Sequence, residues 1–383
     1  MTQPVEWTFR YGSPSTTIFS QYVMSWSAFI GRQNYLDQYA GGTFNITINN
    51  NANYAANFTR GTPVYVEMTA AAGSGYILSG TVAAVTFNDY MGNTGVSTAT
   101  LIIDDGLSMA GNFYLSAFTG YGGGLSTVDA VQTNFAYTGF NSPEVTAYGT
   151  GESTVSADAS YTGSMLNRLN LLQATERGQM WQNNALGIAF VARSEIASSI
   201  STYTLQRNTP STTATVYSGF RRIQNGQNFA NYVTVTGVGL APRTGVNTSS
   251  VATYGRAGYN ISTVDANVTQ ALGLANWIAS SQGVPSDLRF EVDITSAANT
   301  GYNGLFNLLY DVLILRATTV SLTYRIPGAG SDTTTQVVVE GVRISGTPDQ
   351  SDFTLYLSPA TYYQYFMLDS STYGILDTSR LGW

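Results

Sequence analysis

Gly80-Thr-Val-Ala-Ala-Val-Thr-Phe-Asn-Asp89 leads, after a polar turn, to Thr100-Leu-Ile-Ile-Asp-Asp-Gly-Leu107, and a counterpart of this pair recurs about 260 residues later. There Gly341-Val-Arg-Ile-Ser-Gly-Thr-Pro-Asp349 leads to Thr354-Leu-Tyr-Leu-Ser-Pro-Ala-Thr361. An alternating strand precedes each copy, Pro63-Val-Tyr-Val-Glu-Met68 in the first and Thr319-Val-Ser-Leu-Thr-Tyr-Arg-Ile326 in the second, and a short helix is expected after each. A β-module present twice in one chain gives six similar modules in three chains. Such a repeat bears on assembly rather than on catalysis.

Working outward, residues 1 to about 113 read as β throughout. Thr43-Phe-Asn-Ile-Thr-Ile48, Val64-Tyr-Val66 and Val82-Ala-Ala-Val-Thr-Phe87 alternate, and Gly41-Gly42 and Ala72-Gly-Ser-Gly75 punctuate them as turns. Strands at this spacing predict a barrel or sandwich. The Gly-rich stretch Thr119–Leu125 breaks the pattern, but it lacks GxGxxG spacing and a following helix, so it reads as a boundary or loop rather than a dinucleotide site. Beyond it the spacing predicts a helix over 164–175 capped by Ser164, a hairpin from Gly178–Gln182 to Gly187–Arg193, a strand at Tyr232–Thr236 and a second helix from Asp265 to about Ser281. From about 286 the chain returns to strands, the apolar run Val312-Leu-Ile-Leu315 among them.

Composition narrows the chemistry. The 383 residues are only 10% charged, against an average near ~25%. All 16 basic residues are Arg, and the net charge is -7. With no basic run, wrapping nucleic acid through phosphate neutralisation is disfavoured, although a mildly acidic wall suits a conduit. The absence of Cys and His removes disulfides, thiolate nucleophiles and the commonest general base and metal ligands. Neither a signal peptide nor a membrane span is read from the sequence.

Few residues invite a catalytic reading. Asp104-Asp105 is the best adjacent carboxylate pair, but Asp105 is placed to cap a helix beginning near Leu107, and no second carboxylate is paired with it by the sequence. Five Asn-X-Ser/Thr triplets, at Asn45, Asn57, Asn247, Asn260 and Asn267, match chance in an Asn- and Thr-rich chain. The aromatic run Tyr362-Tyr-Gln-Tyr-Phe-Met367 could stack on sugars, but its bulk favours core or protomer interface. No catalytic, cofactor-binding or metal-binding residue is assigned. The expected interface residues are Tyr362, Tyr363, Tyr365, Phe366, Leu381 and Trp383.

Several segments together resemble the minor tail, or tail hub, proteins of long-tailed bacteriophages. In order they are Val23-Met-Ser-Trp26, Gly31-Arg32, Leu36-Asp37, Ala40-Gly-Gly-Thr43, Ile46-Thr-Ile-Asn49, Gly61-Thr-Pro-Val64, Gly80-Thr-Val82, Asn231–Thr236 and Tyr254-Gly-Arg256. The C-terminal set is the most specific: Val339-Glu-Gly-Val342, Leu355-Tyr-Leu-Ser-Pro359, Tyr365-Phe-Met-Leu-Asp369 and Leu376–Trp383. This chain departs from the family by replacing many surface charges with Thr, Asn and Ser.

The resemblance implies a mainly β fold with inserted α+β elements. Two tail-tube-like β-barrel domains, at 1–113 and 241–383, would flank a linker and small α+β middle domain at 114–240. It implies a virion protein of the phage tail tip, assembled in the bacterial host cytoplasm: a homotrimer whose six barrels form a pseudo-sixfold ring. The expected partners are a distal tail protein or tail tube protein, the tape measure protein and tip or fibre proteins, with DNA passing through unbound and no membrane span. A receptor- or carbohydrate-binding tail protein is the alternative, motivated by the 26 Tyr. A peptidoglycan hydrolase would need a further catalytic domain, for which the closing sequence at Trp383 is expected to leave no room.

Overall fold

The computed structural model of the chain describes residues 6–13, 17–70, 73–89, 95–118, 123–135, 145–157, 161–182, 186–198, 203–207, 214–224, 229–285, 289–299, 304–315, 319–347 and 350–363. The first part is β1 (Glu6–Tyr11), β2 (Thr17–Ile18), β3 (Val23–Gly31), β4 (Thr43–Asn49), β5 (Pro63–Ala70), β6 (Gly73–Asn88), β7 (Thr98–Asp104) and α1 (Gly106–Asn112). Alternation sets their inner face: Phe44, Ile46 and Ile48 of β4 and Ala99, Leu101 and Ile103 of β7 are all buried. The side chain of Asp105 accepts from the Ser108 amide, so the expected cap of α1 is present.

The chain then builds a smaller α+β unit from β8 (Tyr114–Phe118), α2 (Thr127–Phe135), β9 (Val145–Tyr148), β10 (Tyr161–Ser164), α3 (Met165–Glu176), β11 (Gln179–Gln182), β12 (Ile188–Val191) and α4 (Arg193–Ser198). Ser164 caps α3 as expected, at 3.2 Å from the Asn167 amide, and β11 and β12 form the expected hairpin. It is followed by β13 (Tyr203–Gln206), β14 (Thr215–Val216) and β15 (Gly219–Ile223), and then by a second insert of β16 (Tyr232–Gly237), β17 (Arg243–Val246), α5 (Thr248–Tyr254), β18 (Gly258–Thr263) and α6 (Val268–Ser281). The cap of α6 is Asn267, not Asp265, which is buried before the helix and accepts from the Thr263 hydroxyl.

The last part comprises β19 (Arg289–Thr295), α7 (Gly304–Tyr310), β20 (Thr319–Tyr324), β21 (Thr333–Thr347) and β22 (Gln350–Pro359), closed by a 3₁₀ turn at Ala360–Tyr362. The run 312–315, expected as a strand, instead extends α7 as a π-helical segment over Asp311–Leu315. A short apolar run carries no periodicity of its own, and the preceding helix decides it.

Fourteen strands form one continuous sheet. The first half runs β3-β4-β7-β6-β5-β1-β2 and the second runs β15-β19-β22-β21-β20-β13-β14. Strand for strand the two orders match. One difference is direction: β1 lies antiparallel to β5, whereas β13 lies parallel to β20. The expected barrels are not closed barrels. Each half is an open set of strands, and the two merge where β3 pairs with β21. A single apolar core runs beneath both halves, from Trp7, Phe9 and Trp26 to Phe290, Val292 and Leu355.

Of the expected boundaries, residue 113 falls between α1 and β8, and residue 240 falls in the turn between β16 and β17, inside a three-stranded sheet. No helix among the described residues is long and apolar enough to cross a membrane.

Candidate assembly interface

The two halves meet at an antiparallel ladder that pairs Gly31 with Gly341, Ile30 with Val342, Phe29 with Arg343, Ala28 with Ile344, Ser27 with Ser345 and Trp26 with Gly346. Paired glycines let the backbones close up: a Cβ on Gly31, whose φ is +88°, would stand 2.4 Å from the Glu340 carbonyl. The ladder continues one step, with the Arg32 amide donating to that carbonyl at 2.9 Å.

Glu340 is the extra residue of a β-bulge between Val339 and Gly341. A bulge re-aims a side chain. Here it places the Glu340 carboxylate beside the Arg32 guanidinium, 2.8 Å from Nε, with both side chains fully buried. Tyr363 closes the cluster, accepting from Arg32 Nη2 at 2.8 Å and donating to Glu340 Oε1 at 2.7 Å. Gln179 of β11 donates to the Val339 carbonyl at 2.9 Å. Tyr35 and Tyr39 supply aromatic faces at 5.2 and 5.0 Å from the guanidinium carbon.

Burial alone lowers the affinity of Arg32 for its proton, but the Glu340 carboxylate and the Tyr39 and Tyr363 phenols together more than offset this and hold the guanidinium well above its ordinary pKa. Burial, and then Glu340, raise the Tyr363 phenol well above its usual value, so it stays a donor. The cluster is a structural lock between halves. Its paired charges are satisfied within the chain, as buried charges must be.

Besides its end strands β2 and β14, the large sheet has two further stretches paired on one side only. β15 pairs with β19 on one side, and β6 residues 84–88 pair with β7 on one side; neither has a second strand partner among the described residues. Phe87, in the second stretch, is 49% exposed.

Of the residues expected at an interface, Tyr362 and Tyr363 are buried within their own chain, against Tyr35 and Val338. Tyr365, Phe366, Leu381 and Trp383 lie outside the described residues. Arg32, Glu340 and Gln179 were not singled out as contacts, although a lone Glu inside the apolar run Val337–Val342 signals a buried, paired charge.

No family model and no curated protein matches this sequence. Solved structures do. A tail protein from Neisseria meningitidis aligns with a TM-score of 0.63 at 12% identity, covering 93% of this chain and 96% of that one. The prophage MuSo2 tail protein from Shewanella oneidensis gives 0.58 at 10% identity, with 94% and 98% covered. Prophage tail protein gp18 from Listeria monocytogenes gives 0.53 at 10% identity, with 92% and 94% covered. The chain has the fold of these phage tail proteins over nearly its whole length.

Proposed function

We propose that this chain is a structural component of a bacteriophage tail, a homotrimeric hub that joins the sixfold tail tube or distal tail protein to a threefold tip. Its work is geometric, with no bond chemistry. The observation that carries the reading is the matched order of seven strands in each half. Three copies then present six near-equivalent half-sheets, a pseudo-sixfold surface, while the unlike inserts between them repeat only three times. Shared fold with phage tail proteins supports the setting.

In this reading the ring surrounds the channel through which tape-measure protein and then DNA pass. A chain with net charge -7 and no Lys offers DNA a wall that does not retain it. The segment from Tyr365 onward, including Phe366, Leu381 and Trp383, is proposed to contact a neighbouring chain.

Native mass spectrometry of the purified full chain is expected to give three copies, and averaged end-on images a wall with six lobes. A strictly monomeric or dimeric chain across the micromolar range sinks the proposal. Glycan-array binding by the trimer, without docking to tail tubes, would transfer the role to receptor recognition.

A further inference from the structure

We propose that the β3·β21 join inside each chain is repeated between chains, with β15 of one copy pairing antiparallel to residues 84–89 of a neighbour's β6 arm; this rests on the trimeric reading above.

The two halves can be superposed by their ladders. Ala83 is skipped in the β6·β7 register as Glu340 is in β21·β22, so Ala84 corresponds to Gly341 and Phe87 to Ile344. On the same edge, β5 stops opposite Thr81 just as β20 stops opposite Val338. Beyond Val338, β21 receives β3; beyond Thr81, the β6 arm receives no strand among the described residues. At the other end, Trp26 of β3 faces Ile46, and Phe220 of β15 faces Val292 at the corresponding rung. β15 is therefore the second half's β3, and it too has no second partner strand among the described residues.

Transferring the internal register gives an intermolecular one: Phe220 opposite Asp89, Arg221 opposite Asn88, Arg222 opposite Phe87 and Ile223 opposite Thr86. Exposure agrees with the assignment. Ile344 is fully buried under the internal join, while its counterpart Phe87 is 49% exposed in the single chain. Charge does not oppose it: the β15 edge carries Arg221, which pairs with Glu291 and Asp293 of its own chain, and Arg222, while the β6 arm ends in Asp89. Exposed edges of this kind pair with another chain unless protected. The repetition closes: three internal joins alternating with three intermolecular ones make one uninterrupted wall. The intermolecular joins lack the buried ion pair, because Ala83 stands where the internal join has Glu340.

The chain has no cysteine, which allows a direct test. Ser27→Cys/Ser345→Cys occupies a known rung of the internal join and calibrates the geometry. Arg221→Cys/Asn88→Cys occupies the corresponding intermolecular rung, at two exposed positions. Under mild oxidation the first variant should link within one chain and the second between chains, as two- and three-chain bands absent from either single-cysteine variant. In the full-length protein, Phe87→Ser should weaken the trimer about tenfold while leaving isolated-chain melting unchanged. A wild-type trimer whose Arg221→Cys/Asn88→Cys variant does not link between chains, or whose Phe87→Ser variant assembles normally, overturns the seam and leaves the hub reading standing. A wild-type chain that stays monomeric removes both.

Discussion

At the scale of single residues, the buried Arg32–Glu340 pair is costly to disturb. With both side chains fully buried, Glu340→Ala strands a guanidinium in the core and should cost about 3–5 kcal/mol in urea denaturation. The double replacement Arg32→Met/Glu340→Leu should recover most of that loss, because it removes both desolvation penalties together. If the single and double variants are equally unstable, shape at the join matters more than charge.

Asp105 answers a different experiment. Burial pushes its carboxyl up to about 7, opposed by bonds its oxygen accepts from the Ser108 and Gly42 amides at 2.7 and 3.0 Å. The folded chain thus holds this proton more tightly than the unfolded chain, so stability falls as pH rises from about 4 to about 7 and then levels off. Asp105→Asn keeps an acceptor oxygen for both amides and should flatten that slope in thermal melts. An unchanged slope would move the titration to another group, with Asp265, pushed up to about 6 by burial, next in line.

Among elements, β21 stands apart because one of its edges serves two strands end to end, β20 over Thr333–Val338 and β3 over Gly341–Gly346. Where they meet, Gly31→Ala must both adopt a left-handed φ of +88° and push against the Glu340 carbonyl. A loss of at least about 1–2 kcal/mol is expected by chemical denaturation, with the main damage confined to the join rather than to β4 and β7. Hydrogen exchange that rises first at 26–31 and 341–346 would bear this out; uniform loosening would count against it.

The same element marks the limit of what the sequence makes legible. Alternation at Val64 and Val320 places two equivalent strands, which face Gly80 and Val337 in the two ladders. Aligning the motifs on Gly80 and Gly341 therefore misses the true correspondence by four residues, since Gly80 matches Val337. Shared glycine spelling outweighed the bulges, which leave no reliable local signal. The pairing of β3 with β21 spans more than three hundred residues and rests on edges meeting in space, so periodicity cannot reveal it. Helix α3 was readable because capping and spacing are local; the π-helical 311–315 was not, because four apolar residues suit either strand or helix.

For the whole molecule, duplication with one permanent join is the organising fact. Both halves sit on one core, so a chain can be folded before it meets a partner, and the proposed second seam would then form by adding strands rather than by refolding. Because a ladder seam in the proposed ring depends on main-chain bonds and modest apolar contact, the trimer should tolerate moderate salt, and sedimentation across a salt series should move little. A sharp salt-induced dissociation would instead assign assembly to Arg221, Arg222 and Asp89.

The opposed directions of β1 and β13 carry a last consequence. One enters its half from the chain's start and the other from the inserted units, so neighbouring lobes of a hexagonal collar would wear different ornaments at their rims. A cap seated on one face could engage every lobe alike, while a spike on the other could grip only alternate ones, and the polarity of the particle would already be written into the direction of a single four-residue strand.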